Sequence, residues 1–202
     1  MEGVIHNFDE TTLPHLGAAY NVARWLTRND IDAEDVVQEA YLRALRHFGS
    51  FHGGDGRPWL LAIVRHTSYT WLRQNRAPEL QIAFDEEMYA LQASDLNPEA
   101  LLLREADSEL LKQALEELPL ESREIIVMRE LEELSYKQIA EVADIPMGTV
   151  MSRLARARKR LVRILKGQGD KEIAEEIAVA VSHEYSLPQR HQFHRNEIFS
   201  SI

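Results

Sequence analysis

Apolar residues recur at intervals of three and four positions along most of the chain, which is the spacing of amphipathic helices. In the first half, this spacing predicts helices over residues 13–26, 32–48 and 58–75. Asp32 is the expected N-cap of the second helix, and Pro58 occupies a first-turn position that a helix tolerates. No alternating pattern of useful length indicates a β-strand, so we predict an all-α fold.

The second half of the chain has the same periodicity and clearer helix boundaries. The Asn-Pro pair at 97–98 is typical of a helix start, and Pro119 restarts a helix. Ser135 and Gln138 fit a capping box, with a serine at the N-cap and a glutamine three residues later. A final long helix is predicted over residues 148–165.

Breaks in this pattern divide the chain into two small helical domains and an extension. The first domain is predicted at residues 1–78 and the second at residues 106–167. Between them, residues 79–105 form an acidic linker, whose first part is irregular in pattern and bounded by prolines. Residues 168–202 form a C-terminal extension that is either disordered or a short amphipathic helix through Ile173, Ile177 and Val181.

The overall charge first argues against a nucleic-acid binder, because such proteins are usually basic. The 202 residues include 33 acidic and 23 basic side chains, for a net charge of −10. The charge is unevenly distributed, however. Residues 41–78 carry six arginines and one aspartate, and residues 135–167 carry eight basic and two acidic side chains. Residues 79–134 carry four basic and sixteen acidic side chains, so the average conceals two basic blocks.

Composition also excludes several classes of protein. The chain has no cysteine, which rules out disulfides, cysteine-ligated zinc, iron–sulfur clusters and thiol catalysis. Its longest unbroken apolar run, residues 59–64, is far shorter than the ~20 residues that cross a bilayer. The acidic N-terminus lacks the apolar core of a signal peptide. We therefore expect a soluble cytoplasmic protein without a metal or other cofactor.

Residues 135–165 combine a capped short helix, a turn and a longer basic helix, which is the layout of a helix-turn-helix unit. One face of the longer helix is apolar, through Val150, Leu154, Ala157, Leu161 and Ile164. The opposite face carries Ser152, Ala155, Arg156, Lys159 and Arg163. Such a face can place short donors on base edges and cations on phosphates. DNA binding is therefore favoured over a merely solvated basic face.

The other basic block interleaves arginines with aromatic rings between residues 57 and 76. Rings beside cations are the components of single-stranded nucleic-acid binding. Taken alone, however, this segment favours packing of Trp59, Ile63 and Leu72 in a core. The glycine-rich turn at 53–56 lacks the lysine and hydroxyl residue of a phosphate-binding P-loop, so a plain flexible loop is expected there.

Four motifs, in order along the chain, resemble those of the bacterial sigma factors. DAEDVVQEAYLRA at 32–44 is similar to the core-polymerase-binding part of region 2, and RPWLLAIVR at 57–65 to its promoter-melting part. LSYKQIA at 134–140 and GTVMSRL at 148–154 resemble region 4. Because only a linker separates the two regions, the arrangement resembles that of the extracytoplasmic-function (group IV) sigma factors.

This resemblance implies a non-enzymatic transcription initiation factor. Such a factor binds core RNA polymerase through the β′ coiled coil and the β subunit, reads the −35 and −10 elements of promoter DNA, and helps to open the duplex. It also implies an anti-sigma factor as a partner, often linked to the inner membrane.

Carried over position by position, the resemblance assigns three groups of residues. Core polymerase contacts are expected at Asp35, Gln38 and Glu39. Contacts with the −10 element are expected at Arg57, Trp59, Arg65, His66, Tyr69 and Arg73. The −35 element is expected to be read by Ser152, Ala155 and Arg156, with phosphate contacts from Thr149, Arg153 and Lys159. The chain departs from the family at His66, where asparagine is frequent, and at Met151, where a basic residue is frequent.

Other functions stay open from the residues alone. A stand-alone helix-turn-helix regulator would bind its promoter tightly without polymerase. An intracellular hydrolase would require His47, His52 or His66, although no catalytic spacing of residues supports it. A metal site in the extension would use His183, His191 and His194, but chance clustering is favoured because no carboxylate motif accompanies them.

Overall fold

The computed structural model describes residues 2–75 and 103–167. Every regular element in these two ranges is helical, which confirms the all-α prediction. Most of the predicted linker, the predicted helix start at 97–98 and the whole C-terminal extension lie outside them. Within the described ranges, no helix combines the length and apolar character that a membrane crossing requires.

The described residues form two compact units. The first contains residues 2–75 and 134–150, and the second contains residues 103–133 and 151–167. Residues 134–150 therefore pack with the first unit, although the sequence assigns them to the second predicted domain. The boundaries 1–78 and 106–167 stay a prediction.

Four helices make up most of the first unit: α1 (Glu2–Thr12), α2 (Leu16–Thr27), α3 (Asp30–His47) and α4 (Gly56–Asn75). Short 3-10 turns at Leu13–His15 and Phe48–Ser50 follow α1 and α3. Helices α2, α3 and α4 pack against one another. Their contact surface includes residues with no solvent exposure, namely Ala19, Ala23, Ala33, Ala40 and Leu61. The small side chains allow the three helix backbones to approach closely.

Helix α1 is not predicted by the sequence pattern. Phe8 of this helix is fully enclosed and meets the rings of Tyr41 and Phe48 edge-on at centroid distances of 4.9 and 5.2 Å. Thr12 is also buried, and its hydroxyl donates to the carbonyl of Phe8 at 2.8 Å. Among residues 7–12, whose side chains the structure describes, Phe8 and Thr12 are the buried ones.

The predicted N-cap of α3 is wrong. The cap is Asn29, whose side-chain oxygen accepts a hydrogen bond from the backbone N–H of Asp32 at 3.0 Å. Asp32 itself lies in the first helical turn with Asp30, where a carboxylate is favourable because it faces the positive end of the helix dipole. The sequence offers several capping residues in succession, and only the structure shows which one caps the helix.

The second unit begins with α5 (Leu103–Glu116) and α6 (Leu120–Ile126). Pro119 immediately precedes α6, as predicted, and a π-helical turn at Val127–Leu131 follows it. The largest fully buried side chains of this region are Leu111, Leu115, Leu118, Ile125, Ile126 and Met128. These side chains form the apolar core of residues 103–133.

Helix α7 (Tyr136–Ala143) confirms the predicted capping box. The Ser135 hydroxyl accepts from the Gln138 backbone N–H at 3.2 Å, and the Gln138 side-chain oxygen accepts from the Ser135 N–H at 2.9 Å. Within the first unit α7 packs against α4, and the Gln138 amide nitrogen donates to an Asp55 carboxylate oxygen at 2.8 Å. The helix ends at Asp144 in the left-handed conformation, with φ of 53°.

Candidate nucleic-acid and polymerase interfaces

Helix α8 (Met147–Gly167) follows the turn after α7 and has the two faces that the sequence predicts. Its predicted apolar stripe is buried throughout, at Val150, Leu154, Ala157, Leu161 and Ile164. Its opposite face is exposed at Ser152, Arg156, Lys159 and Arg163, and Ala155 is half-buried beside them. The helix is therefore held by one side and presents a cationic face with the other.

Two of the predicted −35 residues interact along this exposed face. The Arg156 Nε–H donates to the backbone carbonyl of Ser152 at 3.3 Å, so the side chain lies against the preceding turn. Its two terminal amino groups can still form the bidentate pair that guanine accepts in the major groove. Thr149, one turn earlier, is half-buried.

Arg153 is held in an ion pair and is only partly exposed. Its Nη2 pairs with the Glu121 carboxylate at 3.0 Å, and only 25% of its side chain is exposed. Glu121 lies in the first turn of α6, so this ion pair connects α6 to α8 within the second unit. Phosphate binding by Arg153 stays a prediction, and it would compete with this pair.

A buried ion pair connects α8 to the π-helical turn at Val127–Leu131. Arg158 directs its guanidinium into the second unit and donates twice to one carboxylate oxygen of Glu130, with the Nε contact at 2.9 Å. Only 5% of each side chain is exposed. Arg158 is one of the eight basic side chains of residues 135–167, but its position is structural. Glu130 lies in the π-helical turn, 28 residues away, and no sequence spacing connects the two.

The predicted −10 residues lie on α4 and at its start. His66 and Arg73 are exposed, whereas Arg57, Trp59, Arg65 and Tyr69 are half-buried. The Arg65 guanidinium lies 4.6 Å from the centre of the Tyr69 ring. This is a cation–π contact between two residues that are one helical turn apart. This contact places a cation directly beside an aromatic ring on α4.

Trp59 belongs to an aromatic cluster that sequence reasoning finds only in part. Its ring centre lies 5.0 Å from that of Phe51 and 6.0 Å from that of Phe48. Phe48 is buried, but Phe51 and Trp59 are both partly exposed where the loop joins α4. Leu72 is buried as predicted, while Ile63 is only half-buried. Phe51 and Trp59 flank the glycine-rich turn at 53–56 in the sequence, and this pattern would have identified Phe51 as a member of the cluster.

The predicted polymerase residues lie on α3. Asp35 and Gln38 are exposed, and Glu39 is half-buried and accepts a hydrogen bond from Arg43 Nε at 2.7 Å. This hydrogen bond lowers the pKa of Glu39 below its ordinary value. Three exposed apolar residues, which the sequence analysis did not single out, continue the stripe of Asp35 and Gln38 at intervals of three or four: Ile31, Leu42 and Leu45.

The histidines considered for catalysis do not form a site in the described ranges. His47, His52 and His66 are each exposed, and no group of three potential metal ligands occurs among the residues that the structure covers. His183, His191 and His194 lie beyond residue 167, outside those ranges.

Comparison with known proteins matches both parts of the chain. Residues 13–77 match the Sigma-70 region 2 family, and residues 108–161 match Sigma-70, region 4. The ECF RNA polymerase sigma-E factor of Escherichia coli K12 is 35% identical over 152 residues, covering 69% of this chain and 76% of that protein. The ECF RNA polymerase sigma factor SigE of Mycolicibacterium smegmatis is 31% identical over 163 residues, covering 79% of this chain and 62% of that protein.

A solved structure has the same fold. The sigma factor RpoE of Bartonella quintana, crystallised in complex with the anti-sigma factor NepR, superposes with a TM-score of 0.60 at 29% sequence identity. The match covers 79% of this chain and 97% of that chain.

Proposed function

The chain belongs to the extracytoplasmic-function RNA polymerase sigma factors, a family of transcription initiation factors, and we propose that it directs core RNA polymerase to a specific set of promoters. The observation that carries the proposal is the cationic face of α8. A helix whose opposite side is buried and whose Arg158 is ion-paired presents Ser152, Arg156 and Lys159 outward in a fixed arrangement. That arrangement suits the major groove of a −35 element.

We propose that the polymerase is bound through α3. Asp35 and Gln38 supply exposed polar groups, and Leu42 and Leu45 supply apolar area on the same face of the helix. Acidic and apolar groups together suit a basic coiled coil such as the family's β′ partner. Glu39 is paired with Arg43 and therefore contributes less than its exposed neighbour Asp35.

The −10 element would be bound at the start of α4. Phe51 and Trp59 offer partly exposed rings, and Arg65 with Tyr69 offers a cationic aromatic surface further along the helix. Extruding a base from the duplex costs a few kcal/mol, and stacking on such rings offsets this cost. The protein would act by binding and positioning alone, without a chemical step of its own.

We also propose control by an anti-sigma factor, with the protein acting in the cytoplasm. The related sigma factor of Bartonella quintana was crystallised with such a partner. An anti-sigma factor attached to the inner membrane would hold this protein at that surface until it is released.

The decisive experiment is transcription with purified core RNA polymerase and a library of genomic fragments. We expect the full chain to comigrate with core enzyme and to produce transcripts that share −35 and −10 elements. Asp35→Ala should weaken core binding, because it removes an exposed carboxylate from the proposed face of α3. Glu34→Ala, a loss of charge at the adjacent exposed position, is the matched control and should bind normally. Absence of comigration for the wild-type chain would disprove the proposal.

A further inference from the structure

An exposed apolar side chain lies at the edge of the cationic face of α8. Met151 is 43% exposed, and it directly precedes Ser152 in the sequence. An isolated apolar residue on a protein surface is ordinary and requires no explanation. Met151 differs from such an isolated residue because it lies beside Ser152 and Ala155, which are proposed to enter the DNA groove.

Helical geometry places Met151 at the edge of that groove-facing surface. It lies one turn before Ala155, on the same side of the helix, and next to the exposed Ser152. Side chains on a helix lean toward its N-terminus, so Met151 projects in the direction of the first turn of α8. In that turn, Gly148 has no side chain, and nothing lies within 4 Å of the position its Cβ would occupy. The surface at Gly148 is therefore open, at the end of the helix that enters a groove first.

The chemistry of methionine restricts what it can contact there. A thioether cannot neutralise a phosphate, in contrast to the neighbouring Arg156 and Lys159. In the major groove, the apolar group that distinguishes one base from the others is the C5-methyl of thymine. Methionine is unbranched and flexible, so it can adjust to the position of such a methyl group.

We infer that Met151 is a specificity-determining residue that packs on the C5-methyl group of a thymine in the −35 element. The inference rests on the proposed function, since it requires α8 to enter the major groove of a promoter. It adds a preference that Ser152 and Arg156 cannot supply, because their hydrogen bonds read polar base edges. The bound sequence would therefore contain an A·T pair whose thymine is recognised by its methyl group.

The test replaces each thymine of the −35 element in turn by deoxyuridine, which lacks only that methyl group. The −35 element is first obtained by selecting promoters from a randomised library with the holoenzyme, and binding is then measured on each substituted duplex. We expect one position at which the wild-type holoenzyme loses about fourfold in affinity, which corresponds to burial of one methyl-sized group. Holoenzyme containing Met151→Ala should bind the two duplexes equally.

Three further variants make the outcome decisive. Met151→Leu retains an apolar side chain and should retain the methyl dependence. Met151→Arg should lose the methyl dependence and steepen the salt dependence by about one ion, as expected for a new phosphate contact. Leu13→Ala removes another exposed apolar side chain outside the proposed interfaces and should leave the methyl dependence intact.

The results separate this inference from the proposed function. Equal affinity of the wild-type holoenzyme for every deoxyuridine duplex would overturn the inference while leaving promoter selection in place. A methyl dependence that persists in Met151→Ala would also overturn it, because another group would then read the thymine. Failure of the holoenzyme to select any −35 sequence would instead disprove the proposed function.

Discussion

Arg156 is the exposed side chain on which the strongest sequence discrimination should depend. Arg156→Ala should reduce the preference for the cognate −35 element over a single-base mismatch by ~1–3 kcal/mol, because it removes a possible bidentate contact with a guanine. Competition between cognate and mismatched promoters for the holoenzyme measures this preference.

Arg163→Ala is the matched control, since Arg163 lies on the same exposed face two turns further along α8. It should weaken binding to all sequences equally and reduce the salt dependence by about one ion. Neither variant should alter core binding. Loss of core binding in Arg156→Ala would show that this face of α8 contacts protein and not DNA.

The buried pair of Glu130 and Arg158 acts on stability. Glu130→Gln should lower the free energy of unfolding by ~3–5 kcal/mol, because it leaves the Arg158 guanidinium buried beside an uncharged group. Urea unfolding of the full chain, followed by far-ultraviolet circular dichroism, measures the change.

Replacing both partners by apolar residues, as in Glu130→Leu with Arg158→Met, should restore much of the loss, since no buried charge remains. A Glu130→Gln variant as stable as the wild type would mean that water reaches the pair. Promoter competition with the same variants tests whether the orientation of α8 depends on this contact, because loss of −35 discrimination should accompany loss of stability.

At the scale of elements, the turn between α7 and α8 depends on one strained residue. Asp144 has φ of 53°, a conformation that costs most side chains ~1–2 kcal/mol and glycine almost nothing. Asp144→Gly should therefore raise the midpoint of thermal unfolding, by an amount equivalent to at most ~1 kcal/mol.

The control is Glu141→Gly, which lies on the exposed face of the same helix, three residues earlier. There, glycine should lower stability by ~0.5–1 kcal/mol relative to alanine, because the backbone is in ordinary helical conformation. Two variants with the same new residue and opposite effects would isolate the contribution of backbone conformation.

Sequence periodicity predicted α2, α3, α4, α7 and α8 because each of these helices has a continuous apolar stripe. It did not predict α1 or the π-helical turn at Val127–Leu131, which interrupts the helical period. The exposed positions of Ser152, Arg156, Lys159 and Arg163 on α8 followed from helical phase alone. The buried position of Arg158 did not, because it depends on Glu130 in a different element.

The whole molecule combines a net charge of −10 with two basic blocks. Repulsion of DNA by the acidic segments should offset the attraction of α8, so the full chain alone should bind a −35 duplex weakly at physiological salt. The holoenzyme should bind the same duplex tightly, because the polymerase contributes its own DNA contacts. Fluorescence anisotropy of a labelled duplex, with free protein and with holoenzyme, compares the two.

Tight and sequence-specific binding by the free protein would contradict this expectation and favour a stand-alone helix-turn-helix regulator. The free protein could instead bind the duplex weakly, with an affinity that rises when salt is lowered. That result would show that the acidic segments reduce the attraction between α8 and DNA without abolishing it. The acidic composition therefore does not argue against DNA binding, provided that a partner positions the basic helix.

The aromatic cluster at the start of α4 also gives the protein an intrinsic fluorescence signal for promoter opening. Trp25, Trp59 and Trp71 are the three tryptophans of the chain, and all precede residue 76. Indole emission therefore comes from the region 2 segment alone, whereas circular dichroism detects the helices of both segments. Trp59 lies partly exposed beside Phe51, so bases that stack on this cluster during promoter opening should quench its emission without any attached dye.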